Sequence, residues 1–224
     1  MEKSSWIRKM FEEGISLKKQ FGEENVFDLS LGNPVIEPPD KVQAALVQAA
    51  KDISPGLHRY MPNAGLQDVR EAVAKTLSNE CKVSISANDL VMVCGAAGGL
   101  NITLKTLLDN EDEVLIFAPY FVEYLFYADN HGGKAVAVKT HDDFTLDMDA
   151  LKDALNEKTK AVIVNSPNNP TGVVYSREEL QQLAEILKVH SEETGKTVYL
   201  ISDDPYQKIT FDGVEAVNIL ELYE

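Results

Sequence analysis

The chain has 224 residues, enough for one large domain or two small ones. Its composition, 44% hydrophobic and 25% charged, is that of a globular protein and excludes a disordered or fibrous chain. A formal net charge of -15, with no lysine or arginine stripe to offset it locally, would repel a phosphate backbone and argues against a nucleic-acid partner.

The N-terminal stretch MEKSSWIRKMFEEG scatters charges where a signal peptide needs an apolar segment. The richest apolar run, VLIFAPYFV, is bracketed by Glu113 and Glu123. Neither export nor a membrane span is expected, and the expected location is the cytoplasm. Cys81 and Cys94 stand in no CxxC or Cys/His spacing, and His58, His131, His141 and His190 are dispersed without an HExxH pattern. No metal site is expected.

In chain order, Trp6, Ile7, Met10, Phe11 and Ile15 predict a helix over residues 5–21. A short extended segment from Phe27 to Leu31 should follow, ending in the turn Gly32-Asn33-Pro34. A second helix is predicted from Pro39 or Asp40 to Asp52, and a third from Leu66 to Asn79 with Leu66, Val69, Val73 and Leu77 on its apolar face. The Gly/Pro-rich HRYMPNAG separates these two.

From Leu90 onward a regular alternation begins. LVMVC reads as a strand and precedes a helix from about Gly98; EVLIFA precedes a helix from about Phe121; AVAVK precedes a short helix near Leu151. AVIVNS precedes a long helix from Arg177 to about Glu193, and TVYLIS follows it. Short Val/Ile-rich runs alternating with amphipathic helices predict an α/β fold in three layers, a mainly parallel sheet with helices on both faces. Ligands of such sheets sit beyond the carboxyl ends of the strands. The chemistry-bearing residues fall there: Gly95-Ala96-Ala97-Gly98-Gly99, Pro119-Tyr120-Phe121, NSPNNPTG and Asp203-Asp204-Pro205-Tyr206.

Each of these loops admits a plain reading and a functional one. The glycines after LVMVC either make a tight connection or open a helix N-terminus to a phosphate, and they form neither a GxGxxG nor a P-loop pattern. Phe121 either joins Tyr124, Leu125 and Ala128 in a helical core stripe or offers its face to a flat ligand ring. Asp203 either solvates the turn before Pro205 or, at the end of a buried strand, meets a cation such as a protonated ring nitrogen. In NSPNNPTG, Pro167 and Pro170 restrict Ser166 and Asn169 as well as themselves, so a stiff, extended loop is expected. Asn168 and Asn169 bring amides, and Gly172 permits tight geometry before a Ser176 cap and the acidic turn Glu178-Glu179.

From about Leu29 to its end the sequence resembles the class I/II aminotransferases, pyridoxal-phosphate enzymes, through the ordered motifs LGNP, RYMPNAG, GAAGG, PYFVEY, SPNNPTG and SDDPY. The resemblance implies pyridoxal 5'-phosphate as cofactor and amino-group transfer between an L-amino acid and a 2-oxo acid. It implies that Asn169 donates to the phenolic oxygen of the cofactor ring, with Tyr206 sharing the contact, and that Asp203 pairs with the ring nitrogen. Phe121 would stack on the ring, the N–H groups of Ala96 and Ala97 would hold the phosphate, and Gly32 would lie beside the substrate carboxylate. Tyr60 would reach the phosphate of a neighbouring subunit, making a homodimer part of the site. Residues 1–50 would be an arm contributing to the small domain, and residues 51–224 the cofactor-binding large domain.

Two departures stand out. The phosphate loop of the family often carries a hydroxyl or amide, where Ala96 and Ala97 offer backbone alone. The Schiff-base lysine should follow the Asp-x-x-Tyr strand in a serine-rich loop, and Lys208 is the only lysine after Tyr206. The expectation is an N-terminal portion of an aminotransferase, inactive by itself, with the rest of the large domain and the C-terminal small domain missing. A non-catalytic binding or dimerisation module, or a lyase or synthase of the same fold, are the alternatives. A nicotinamide-dependent oxidoreductase is disfavoured because EVLIFA ends in Ala118-Pro119-Tyr120, where a ribose-binding acid is wanted.

Overall fold

A computed structural model of the chain describes residues 6–29, 32 and 36–222. The predicted turn at Asn33-Pro34, and the end of the preceding extended segment at Leu31, lie outside the described residues. The chain divides into two units, Met1–Pro62 and Asn63–Glu224. In the first, helix α1 (Trp6–Phe21) stops at Gly22, whose φ of 89° suits a residue without a Cβ. Lys18 Nζ reaches back to Asp28 Oδ2 at 3.0 Å. Helix α2 (Asp40–Lys51) follows Pro39 and has no buried residue.

The second unit opens with α3 (Gln67–Cys81), then α4 (Gly95–Leu107), strand β1 (Glu113–Ala118) and α5 (Glu123–Asp129). Strand β2 (Lys134–Lys139), α6 (Met148–Ala154), β3 (Thr159–Asn165), α7 (Arg177–Thr194) and β4 (Tyr199–Asp203) complete it. The four strands are all parallel, in the order β2-β1-β3-β4. Period-two alternation sends successive side chains to opposite faces. Leu115, Phe117, Val162 and Val164 pack with Leu151, Leu180, Leu183 and Leu187 of α6 and α7. On the other face Val114, Ile116, Ala161 and Ile163 meet Leu100 and Leu104 of α4 and Tyr124 and Ala128 of α5. This is a three-layer α/β fold, and the near-continuous apolar runs of β1 and β3 follow from burial on both faces.

Helix α7 starts as its sequence predicts. Ser176 Oγ accepts from the N–H of Glu179 at 3.2 Å, and Glu179 Oε2 accepts from the N–H of Ser176 at 2.8 Å, a reciprocal cap. It ends at Gly195 in the left-handed region.

Three local expectations are corrected. LVMVC forms no strand: Val91, Met92 and Val93 are well exposed, and Met92 N–H donates to Ala64 O at 2.9 Å instead of joining a ladder. An apolar run becomes a strand only if a neighbour pairs with it, and among the described residues none does. In α3 the buried positions are Arg70, Ala74 and Cys81, whereas Leu66 and Val69 are exposed. The Arg70 guanidinium takes the core side because it donates to the carbonyls of Gly65 and Ala87 and to Gln67 Oε1. The NSPNNPTG loop is not extended. Asn168 N–H donates to Val173 O at 2.9 Å and Gly172 N–H donates to Asn168 O at 2.8 Å, folding it back on itself, with Gly172 at φ 75°. The peptide bonds before Pro119, Pro167 and Pro170 are cis.

Candidate functional site

Because β1, β3 and β4 run parallel, their carboxyl ends deliver three loops to the same edge of the sheet, beside the first turn of α4. A hollow of about 240 Å³ opens there, lined by Ala96, Ala97, Leu100, Phe121, Tyr124, Tyr127, Asn165, Asn169, Asp203, Pro205 and Tyr206. Small-molecule clefts run to ~300–1,000 Å³. The hollow is of a size to take a single ring system, and it adjoins a cavity of about 400 Å³ that shares Ala96, Leu100, Asp203 and Pro205 with it.

Ala96, Ala97, Phe121, Asn169, Asp203 and Tyr206 are thereby brought together. Gly32 and Tyr60 belong to the first unit, and the hollow is lined by second-unit residues. The Tyr60 side chain is fully exposed. A larger cavity of about 610 Å³, lined by Pro167, Pro170, Ile209, Phe211 and Val214 among others, shares Asn169 and Tyr206 with the hollow. Those two residues therefore border both.

Asp203 ends β4 in register with Asn165 of β3. Its carboxylate accepts a hydrogen bond from the Tyr124 hydroxyl, 2.7 Å from Oδ2. Among the described residues no lysine, arginine or histidine is in ion-pair contact with it. A half-buried carboxylate at a strand tip with one neutral donor still has capacity for a cation. Burial, then the Asp203 charge its hydroxyl faces, push the Tyr124 phenol far above its ordinary range, so it remains a protonated donor. Tyr124 also meets Phe121 edge-on, with ring centroids 5.6 Å apart and planes at 83°.

On the β3 side the amides divide their work. Asn168, buried, accepts at Oδ1 from the N–H of Thr171 at 3.2 Å and its hydroxyl at 2.9 Å, which braces the loop. Asn165, also buried, donates from Nδ2 to Asp203 O at 2.7 Å and accepts at Oδ1 from the N–H of Asn169 at 2.6 Å. Among the described residues the Asn169 side-chain amide has no hydrogen-bond partner, and it lines the hollow.

Helix α4 contributes differently. The N–H groups of its first turn have no partner within the helix, and the dipole favours an anion there. A Cβ on Gly98 would meet nothing closer than Cys94 Cβ at 3.8 Å. Internal packing therefore does not demand glycine at that position.

The family model for class I and II aminotransferases matches residues 24–224. The chain belongs to the class I and II aminotransferase family. Among curated members it is 32% identical over 200 residues to the aspartate aminotransferase of Bacillus subtilis, covering 88% of this chain and 49% of that protein. It is 34% identical to the aspartate aminotransferase of Pyrococcus abyssi, covering 97% and 53%. The crystal structure of an aminotransferase from Eubacterium rectale superposes with a TM-score of 0.91 at 36% identity, over 98% of this chain and 56% of that one. The chain thus spans about half the length of the family members it matches. Among its described residues no helix is long and apolar enough to cross a membrane.

Leu100, Tyr124, Tyr127, Asn165 and Pro205 line the hollow without being site residues expected from the sequence, and two of them, Tyr124 and Asn165, make hydrogen bonds there. Tyr124 was placed in a core stripe, and the overlooked signal is its hydroxyl, which a buried tyrosine must satisfy. Asn165 opens the NSPNNPTG loop in the sequence and has no role assigned there; the structure makes it the last residue of β3, where a buried amide demands partners in the same way.

Proposed function

We propose that the parent protein is a pyridoxal-phosphate-dependent aminotransferase that moves an amino group between an L-amino acid and a 2-oxo acid, and that this chain carries the cofactor-binding half of the site. The observation that carries the reading is the convergence on one ring-sized hollow of a carboxylate lacking a cation, an amide lacking a partner and the first turn of a helix. That donor and acceptor set fits a phosphorylated, nitrogen-containing heterocycle.

When bound, pyridoxal 5'-phosphate supplies a protonated ring that takes up the electron pair left as a substrate amino acid loses its α-proton. The chain's own groups have separable tasks. The Asp203 carboxylate would hold the proton on the ring nitrogen, with Tyr124 donating to Oδ2 to fix its aim. The Asn169 amide would donate to the phenolic oxygen, and the Tyr206 hydroxyl would share that contact. The Phe121 ring would cover one face and exclude water. The N–H groups of Ala96 and Ala97, with the α4 dipole, would hold the phosphate. Gly32 would lie beside the substrate carboxylate. The exposed Tyr60 supports a reach toward the phosphate of a second subunit in a homodimer, and we place the enzyme in the cytoplasm.

Among the described residues no lysine lines the hollow. Lys208 is 79% exposed and its Nζ lies 2.6 Å from Glu80 Oε1. Binding of the cofactor by this chain is therefore reversible, and the chain alone transfers no amino group. Equilibrium dialysis against pyridoxal 5'-phosphate tests this reading. It predicts saturable binding that borohydride does not render permanent, weakened about 100-fold by Asp203→Ala through loss of a charge-assisted contact. Absence of binding, or binding indifferent to Asp203, contradicts it.

A further inference from the structure

We propose that Asn165 is a positioning residue that sets the separation between the Asn169 amide and the Asp203 carboxylate, and so between the contacts to the phenolic oxygen and to the ring nitrogen of the bound heterocycle. The inference rests on the cofactor reading above and deepens it.

The last residue of a buried strand could be aliphatic, as Val164 is. Asn165 is only 5% exposed, and an amide so placed is costly unless both its ends are met. They are met by main-chain groups of the two residues whose side chains matter: Nδ2 donates to Asp203 O at 2.7 Å, and Oδ1 accepts from Asn169 N–H at 2.6 Å. One planar group thus ties the tip of β4 to the loop after β3. The ladder aligns Asn165 with Asp203 but ends there. Beyond it the loop is folded by its own bonds through Asn168, and the Asn165 side chain is what ties Asn169 to the tip of β4. Asparagine suits the task because a short, planar amide holds a donor group and an acceptor oxygen in a fixed relation. An aspartate would keep the acceptor and lose the donor.

Amide hydrogen exchange by NMR and equilibrium dialysis test the proposal on the chain as it stands. In Asn165→Ala the Asn169 N–H should exchange about tenfold faster, through loss of one hydrogen bond. In Asn165→Asp that protection should persist. Dialysis then compares pyridoxal 5'-phosphate with its 3-deoxy analogue, in which hydrogen replaces the phenolic oxygen. The unaltered chain should prefer the natural compound about tenfold. Asn165→Ala should shrink the preference below about threefold, whereas Asn165→Asp should retain it while binding both compounds about tenfold more weakly.

General loosening of the fold would weaken both ligands equally and leave the preference intact. An unchanged Asn169 exchange rate, or an unchanged preference in Asn165→Ala, overturns this proposal alone. Failure of the unaltered chain to bind pyridoxal 5'-phosphate overturns the cofactor reading and this proposal together. Should Asn165→Ala not fold, Asn165→Asp decides through both readouts: weaker binding of both compounds with Asn169 exchange still protected supports the proposal, whereas weaker binding with that protection lost marks general loosening and, like affinities equal to those of the unaltered chain, overturns it.

Discussion

The loop after β3 and the first turn of α4 both border the hollow, and they are braced by different means. Residues 165–172 are tied by side chains: Asn165 to Asn169 and Asp203, and Asn168 to Thr171. Gly95 to Gly99 have no side chain larger than a methyl group, and the helix they begin supplies the order. The difference follows from what each must present. A side-chain amide points usefully only if its main chain is held, and a loop has no ladder to hold it. A helix N-terminus already aims its N–H groups along the axis, so bare backbone suffices.

The sharpest way to break the contrast is to remove the bracing. Asn168→Ala strips the Thr171 N–H and hydroxyl of their acceptor, and chemical denaturation should show a loss of about 2 kcal/mol. Asn169→Ala, by contrast, should leave stability unchanged within error and weaken pyridoxal 5'-phosphate binding about tenfold, because its side-chain amide has no other partner among the described residues. The α4 side should respond in the opposite sense. Ala97→Ser adds a hydroxyl where the chain has none, and phosphate-bearing ligands should bind about threefold more tightly by dialysis. A destabilised fold with no gain in affinity would show that the first turn cannot accept a side chain.

The smallest effect is a pH dependence next to the site. Burial pushes the Asp204 carboxyl above its ordinary range, the Ser202 hydroxyl at 2.6 Å opposing part of the shift and the Asp203 charge adding to it. The folded state therefore holds this proton more tightly than the unfolded state does. The stability that follows is fully present below the unfolded pKa and is lost as pH rises through the raised folded value. Asp204→Asn should gain on the unaltered chain across that window, read as the difference in urea midpoints, and show no growing advantage below it.

Much of this arrangement was legible in the sequence because β1 and β3 carry their burial in their composition. Val114–Phe117 and Ala161–Val164 are apolar at every position, which a strand covered on both faces requires. The capping box of α7 was legible for the same local reason: Ser176 and Glu179 are three apart. Leu90–Val93 shows where such reading stops, since the same kind of run becomes a strand only when another segment pairs with it, and pairing is not a local property. The folded-back NSPNNPTG loop was misjudged because proline rules restrict φ and ψ residue by residue. Its direction is set by the bond from Asn168 to Val173 and by the buried Asn168 amide. Tyr124 was hidden by its helical spacing, which places it in the core correctly but says nothing of a carboxylate 79 residues away.

The central claim is that one hollow receives a flat phosphorylated heterocycle with Asp203 at its nitrogen and Asn169 at its oxygen. Titrating the isotopically labelled chain with pyridoxal 5'-phosphate and following backbone amide resonances tests it most directly. The account predicts saturable shifts concentrated at Ala96, Ala97, Phe121, Asn169, Asp203 and Tyr206. Shifts confined to the neighbouring cavity around Ile209, Phe211 and Val214, with Ala96 and Asp203 unmoved, would contradict it.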